Sequence, residues 1–155
     1  MADTRLLLEN QICFRVYALE RALMATYKPL LNKLGITYPQ YLVLLALWEH
    51  QNLTIGQICE LLSLDTGTIS PLVKRMEVQQ LVIRTRLPED ERTVHVQVTE
   101  KGRALEKEAI SIPETIGSCM FSDMAAYKNL QKSLDEALAA LRDGTCANKE
   151  IPQRT

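Results

Sequence analysis

The sequence predicts a mainly helical fold with a single small β-hairpin, and three observations predict it. Apolar residues recur at helical spacing over most of the chain. Two short helical segments, opened by Thr54 and Asp65, stand only two or three residues apart. Two alternating, β-branched runs then flank a polar, proline-containing tip.

Each element follows in order. Over 3–34, Leu8, Ile12, Val16, Leu19, Leu23, Leu30, Leu31 and Leu34 repeat at helical spacing, with Pro29 expected to kink the segment or start a new turn. Gly35 reads as its C-terminal cap. A second helix opens at Thr37-Tyr38-Pro39, with proline in a tolerated first-turn position, and runs to Trp48. Its run from Tyr41 to Leu47 is apolar on nearly every side, which marks a helix buried in the middle of the domain. Ile55, Ile58, Cys59, Leu61 and Leu62 form the next helix, and Ile69, Leu72, Val73 and Met76 face one side of the one after it. Two short helices joined this tightly make a helix–turn–helix. Leu81–Arg86 and Thr93–Val98 then read as a hairpin around the tip 87–92. Thr99 caps a helix that Pro113 interrupts, and Ser122 caps a last one with Leu130, Leu134, Leu138 and Leu141 on its stripe. A helix–turn–helix followed by a basic hairpin is the outline of a winged helix–turn–helix.

The expected organisation is one domain over 1–143, its winged unit at about 37–98 and its flanking helices at about 3–34 and 99–143. A flexible tail is expected over 144–155. The flanking helices have apolar stripes to bury against each other or against a second copy, and a palindromic DNA site favours a homodimer.

The chain has 155 residues, 46% of them hydrophobic and 24% charged, which fits a globular domain and excludes collagen-like or low-complexity readings. No segment is long and apolar enough to span a bilayer, so no membrane role and a cytoplasmic location are expected. Cys13, Cys59, Cys119 and Cys146 are far apart and, with only His50 and His95, match no zinc spacing. No metal and no cofactor are expected.

The net charge of −1 gives no global sign of nucleic-acid binding, so that reading rests on a local patch. Over 66–86, Lys74, Arg75, Arg84 and Arg86 face the single acid Glu77. Thr66, Thr68 and Ser70 fall in the first turns of the second short helix, where hydroxyls reach base edges and phosphates. Arg92 at the wing tip is placed to enter a minor groove. Charge alone fits a solvated surface equally well; the ordered series of helix, turn, helix and basic hairpin favours double-stranded DNA.

The run Leu64-Asp65-Thr66-Gly67-Thr68-Ile69-Ser70-Pro71-Leu72-Val73-Lys74-Arg75-Met76-Glu77, followed by Asp90-Glu91-Arg92, resembles the MarR family of transcriptional regulators. Asn10-Gln11-Ile12-Cys13-Phe14 and the run from Leu34 to Val43 are similar to its organic hydroperoxide resistance branch. The resemblance runs from about Leu7 to Leu105, with the helix after Pro113 more divergent. It implies a helical homodimer on a pseudo-palindromic operator, acting as a repressor. Thr66, Thr68, Lys74 and Arg75 match the recognition helix, and Asp90 and Arg92 match the wing. Thr66-Gly67-Thr68 with Arg75-Met76-Glu77 is also similar to broader thiol-based global regulators.

A cysteine on an apolar helical face is usually a core residue. Tyr17, one turn after Cys13, can bring its hydroxyl towards the sulfur. By the resemblance, Tyr27 and Tyr38 complete the set around a redox-sensing Cys13. Along one helix Tyr27 lies roughly 20 Å from Cys13, so the set closes only across two subunits. Hydroxyl donors would stabilise the thiolate, which an organic hydroperoxide would oxidise to a sulfenic acid. The resemblance makes Cys119, in the run Gly117-Ser118-Cys119-Met120 that reads as a mobile junction, the candidate resolving thiol, with a small cellular thiol as the alternative. Cys59 reads as core and Cys146 as incidental. Two competing functions are a thiol peroxidase, which leaves the helix–turn–helix unexplained, and a repressor of the same fold that answers to a ligand without redox sensing.

Overall fold

The computed structural model describes residues 3–88 and 90–142, and of Leu87, Asp90 and Glu91 the backbone alone. The tail expected over 144–155, with Cys146, lies outside the described residues, as does the side chain of Asp90. Seven α-helices and three strands are described: α1 (Ile12–Lys33), α2 (Tyr38–His50), β1 (Asn52–Thr54), α3 (Ile55–Leu62), α4 (Thr66–Val78), β2 (Val82–Leu87), β3 (Asp90–Val98), α5 (Glu100–Ala109), α6 (Ile112–Met120) and α7 (Met124–Arg142). The chain forms two compact units, one up to Pro113 and one from Glu114.

The first unit is a winged helix. Its core is the buried α2, with Tyr41, Val43, Leu44, Ala46 and Leu47, as its unbroken apolar run predicts. Ile58 of α3, Ile69, Val73 and Met76 of α4, and Val82 and Val96 of the sheet are withdrawn from water with it. Each such side chain contributes about 1.5–3 kcal/mol by burial. Thr54 and Asp65 cap α3 and α4 by accepting the backbone N–H of Gln57 at 3.1 Å and of Thr68 at 2.8 Å. Thr99 does the same for α5. The wing is the antiparallel pair β2–β3, and the sheet order is β1-β3-β2.

Four expectations are corrected. The first helix does not start at Asp3: two short 3-10 turns, Thr4–Leu6 and Leu8–Asn10, precede α1. There the amides of Asn10 and Gln11 bond the carbonyls of Thr4 and Arg5 at 2.7 and 2.6 Å, and such bonds compete with the helical ladder. Of the two outcomes expected at Pro29, a kink or a new turn, the new turn is the one overturned, since α1 runs through it to Lys33. Asp123, not Ser122, caps α7, its carboxylate accepting the N–H of Ala126 at 2.8 Å. Gly117–Met120 is the last stretch of α6 rather than a junction. The sequence also shows no sign of β1, three residues made a strand by pairing Asn52, Leu53 and Thr54 with Gln97, Val96 and His95 of β3.

Candidate redox and nucleic-acid sites

Cys13 lies in the first turn of α1 and is exposed. Its neighbours Ile12, Phe14 and Val16 are exposed as well, so the described residues of its own chain leave this end of the helix uncovered. The hydroxyl of Tyr17 accepts from Arg21 Nη1 at 3.2 Å, and the Arg21 guanidinium stands 5.7 Å from the Tyr17 ring centre. Tyr17 is thus turned along α1 to its own neighbour, though its hydroxyl proton stays available.

Fourteen residues further along the unbroken α1, Tyr27 meets Tyr38 of α2 edge to face, with ring centres 4.9 Å apart. At about 1.5 Å per residue, α1 holds this pair roughly 20 Å from Cys13 of the same chain. One subunit brings Tyr27 and Tyr38 together and keeps Cys13 apart from them. Burial, and next the charge of Glu20, push the Tyr38 hydroxyl above the ordinary tyrosine range, so it remains a protonated donor at neutral pH. Tyr41, which the sequence reading counted only as core, backs the pair at 6.1 Å from Tyr27 and 6.3 Å from Tyr38. Its signal was its spacing, three residues after Tyr38 on one helix face.

Lys74 and Arg75 are exposed on α4, and Arg86 of β2 and Arg92 of β3 are exposed on the wing. Ser70 is half-buried. Thr68 and Arg84 have partners within the fold. Thr68 Oγ1 donates to Asp65 at 3.0 Å, inside the α4 cap. Arg84 is clamped on Glu77, its Nε and Nη2 donating to Oε2 at 2.8 and 2.6 Å and its backbone N–H to Oε1 at 3.1 Å. This clamp ties the end of α4 to the root of the wing and holds the Glu77 carboxyl below the usual carboxylate range. Thr66 Oγ1 lies 3.8 Å from the sulfur of Cys59, which is half-buried rather than fully in the core. Among the described residues no group of three His, Cys, Asp or Glu side chains could hold a metal ion, and no helix is long and apolar enough to cross a membrane.

A family model described as transcriptional regulator SarA/Rot matches residues 25–109, from mid-α1 to the end of α5. An organic hydroperoxide resistance transcriptional regulator of Bacillus subtilis is 48% identical over 134 residues, covering 86% of this chain and 91% of that one. The structure of reduced AbfR bound to DNA, a Staphylococcus epidermidis protein, aligns with a TM-score of 0.76 at 33% identity, covering 88% of this chain and 93% of that one. Disulfide-formed AbfR aligns with a TM-score of 0.61 at 34% identity, covering 88% of this chain and 90% of that one.

Proposed function

Because the chain belongs to the MarR/SarA family of winged-helix transcriptional regulators, we propose that it is a DNA-binding repressor whose hold on its operator is set by the oxidation state of Cys13. The observation that carries this reading is the Tyr27–Tyr38 pair, packed edge to face at 4.9 Å and held by α1 at the far end from Cys13. In a two-fold dimer with crossing first helices, the pair of one subunit meets Cys13 of the other. The uncovered apolar residues favour such a dimer, since Leu6 and Ile12 are 78% and 73% exposed, and Leu138 and Leu141 of α7 are 50% and 67% exposed. A single domain over 1–143 with dimerising helices at both ends fits this arrangement.

Tyrosine hydroxyls donating to the sulfur stabilise the Cys13 thiolate. The thiolate attacks the terminal oxygen of a hydroperoxide, the O–O bond breaks, and the departing alkoxide takes a proton and leaves as alcohol. Cys13 becomes a sulfenic acid, oxidised by two electrons while the peroxide is reduced. The added oxygen disturbs the packed contacts of the tyrosines. Condensation with a second thiol, Cys119 or a small cellular thiol, forms a disulfide and releases water. The exposure of Cys119 on α6 suits that role. Once the two wings shift, Lys74, Arg75, Arg86 and Arg92 no longer match the phosphate spacing of a pseudo-palindromic operator. The likeness to the B. subtilis regulator supports an organic hydroperoxide as the signal, and the aromatic residues Phe14, Tyr17, Tyr27 and Tyr38 suit an apolar oxidant.

The test is operator affinity of wild type and Cys13→Ser, each with and without cumene hydroperoxide, on the promoter region beside its own gene. Release of wild type with retention of the variant is expected. Equal behaviour of the two overturns the thiol switch and leaves a ligand-responsive regulator of the same fold. On diagonal gels of oxidised protein, a covalent dimer is expected if Cys119 of one subunit links to Cys13 of the other.

A further inference from the structure

We propose that Tyr41 and Trp48 are positioning residues of the switch, joining the Tyr27–Tyr38 pair to the root of the wing. The proposal rests on the thiol-switch reading and adds the route by which a change near the tyrosines reaches the DNA-facing hairpin.

Tyr38, Tyr41, Leu45 and Trp48 stand three, four and three residues apart, which places them on one stripe of α2. Tyr41 is 2% exposed. Its ring centre lies 6.3 Å from that of Tyr38 and 6.3 Å, edge to face, from that of Trp48. The indole N–H of Trp48 then leaves the stripe and donates to the carbonyl of Gly102 in α5, at 3.1 Å. Gly102 is the point where α5 presses on the wing root. A Cβ added there would stand 2.2 Å from the carbonyl oxygen of Leu81, so the two backbones are in direct contact. The same turn of α5 grips the three residues that lead from α4 into β2. Lys101 Nζ donates to the Gln79 carbonyl at 2.9 Å, and Thr99 Oγ1 to the Gln80 carbonyl at 2.6 Å. The Thr99 backbone N–H donates to the Leu81 carbonyl at 3.1 Å.

The links in this line are two ring contacts, one hydrogen bond and one backbone contact. Packed aromatic edges and a backbone contact with no room for a methyl group do not deform smoothly, so displacement of Tyr38 passes to Gly102 and thence to Leu81. The N–H to carbonyl bond is the one link that a conservative substitution removes while the ring stays in place.

The experiment compares wild type, Trp48→Phe and Tyr41→Leu as full-length chains. For each, operator Kd is measured fully reduced and after oxidation with cumene hydroperoxide, the extent of Cys13 oxidation is read by mass spectrometry, and melting is followed in both states. Trp48→Phe is expected to bind DNA like wild type when reduced and to oxidise at Cys13 equally fast. Its ratio of oxidised to reduced Kd is expected to fall by about tenfold, within the usual range for coupled sites. Tyr41→Leu cuts the same line one residue earlier and is expected to lose the ratio as well, giving a second variant should the first fold poorly. A wild-type ratio in both variants, with Cys13 fully oxidised, overturns the proposal and leaves Tyr41 and Trp48 as core residues that lower melting in both states alike. If wild type itself keeps its affinity after oxidation, the thiol-switch reading falls and the relay falls with it.

Discussion

At the scale of single residues, the Glu77–Arg84 clamp and Gly102 govern how the wing is held. Both partners of the clamp are about one-third exposed, 35% for Glu77 and 29% for Arg84, so solvent screens much of their attraction. Glu77→Gln is expected to lower stability by about 1 kcal/mol, read from urea denaturation at neutral pH. The Arg84 hydrogen bonds lower the folded pKa of Glu77, so its contribution is present above the unfolded value and lost as pH falls through the folded one. The difference between wild type and Glu77→Gln is therefore expected to vanish in the acid range, below the usual glutamate pKa. Gly102→Ala is expected to cost about 3 kcal/mol or more, because the obstacle at 2.2 Å is backbone and not a side chain that can turn away. Neither feature was legible in the sequence as what it is. Arg84 stood among the candidate DNA contacts with no sign of its bond to Glu77, and Gly102 drew no remark, since both packings depend on partners that only the fold brings near.

At the scale of elements, the helix starts marked by a side-chain cap inside the winged unit were legible, while those of α1 and α7 were not. Thr54, Asp65 and Thr99 announce their helices because a cap is a local event, completed by the N–H three residues on. Ends are announced only where glycine provides the left-handed residue, as Gly35 does with φ 68° after α1. After α2, α3 and α4 the residues with positive φ are Gln51, Ser63 and Gln80, at 62°, 53° and 61°, and nothing in their chemistry signals it. Those positions carry the strain of a side chain in left-handed backbone. Gln80→Gly is expected to raise stability by about 1 kcal/mol, and Gly35→Ala to lower it by a similar amount, both visible as shifts in melting temperature. The short β1 escaped the sequence for the opposite reason: its three residues carry no pattern, and pairing with β3 alone defines it.

At the scale of the whole molecule, the fold class was legible because its order of elements is encoded by periodicity, while the redox site was legible only in part. The sequence placed Cys13, Tyr27 and Tyr38 on their helices, but a single chain leaves the thiol and the tyrosine pair apart. What unites them in the proposed switch is a second subunit. A charge on the uncovered α7 stripe, Leu138→Glu, is expected to shift the protein towards monomer in sedimentation and to weaken operator binding with it. The contribution of the basic patch is measurable separately through salt. Removing one phosphate contact from each half-site, as in Lys74→Ala, is expected to flatten the slope of log K against log salt by about 1.8, since each contact contributes about 0.9. An unchanged slope would show that Lys74 stands clear of the backbone.

Trp48 is the chain's single tryptophan, and its place in the first unit has an optical consequence. Selective excitation at the red edge of protein absorbance addresses one indole, bonded to Gly102 and edge-on to Tyr41. Its emission is native to the winged unit, whereas the described aromatic rings of the second unit are Phe121 and Tyr127. Fluorescence therefore reports unfolding of the winged unit alone, and helical circular dichroism reports both units together. Denaturation curves that coincide by the two probes would mean that the two units melt as one cooperative body, and curves that separate would give each unit its own stability from an unlabelled protein.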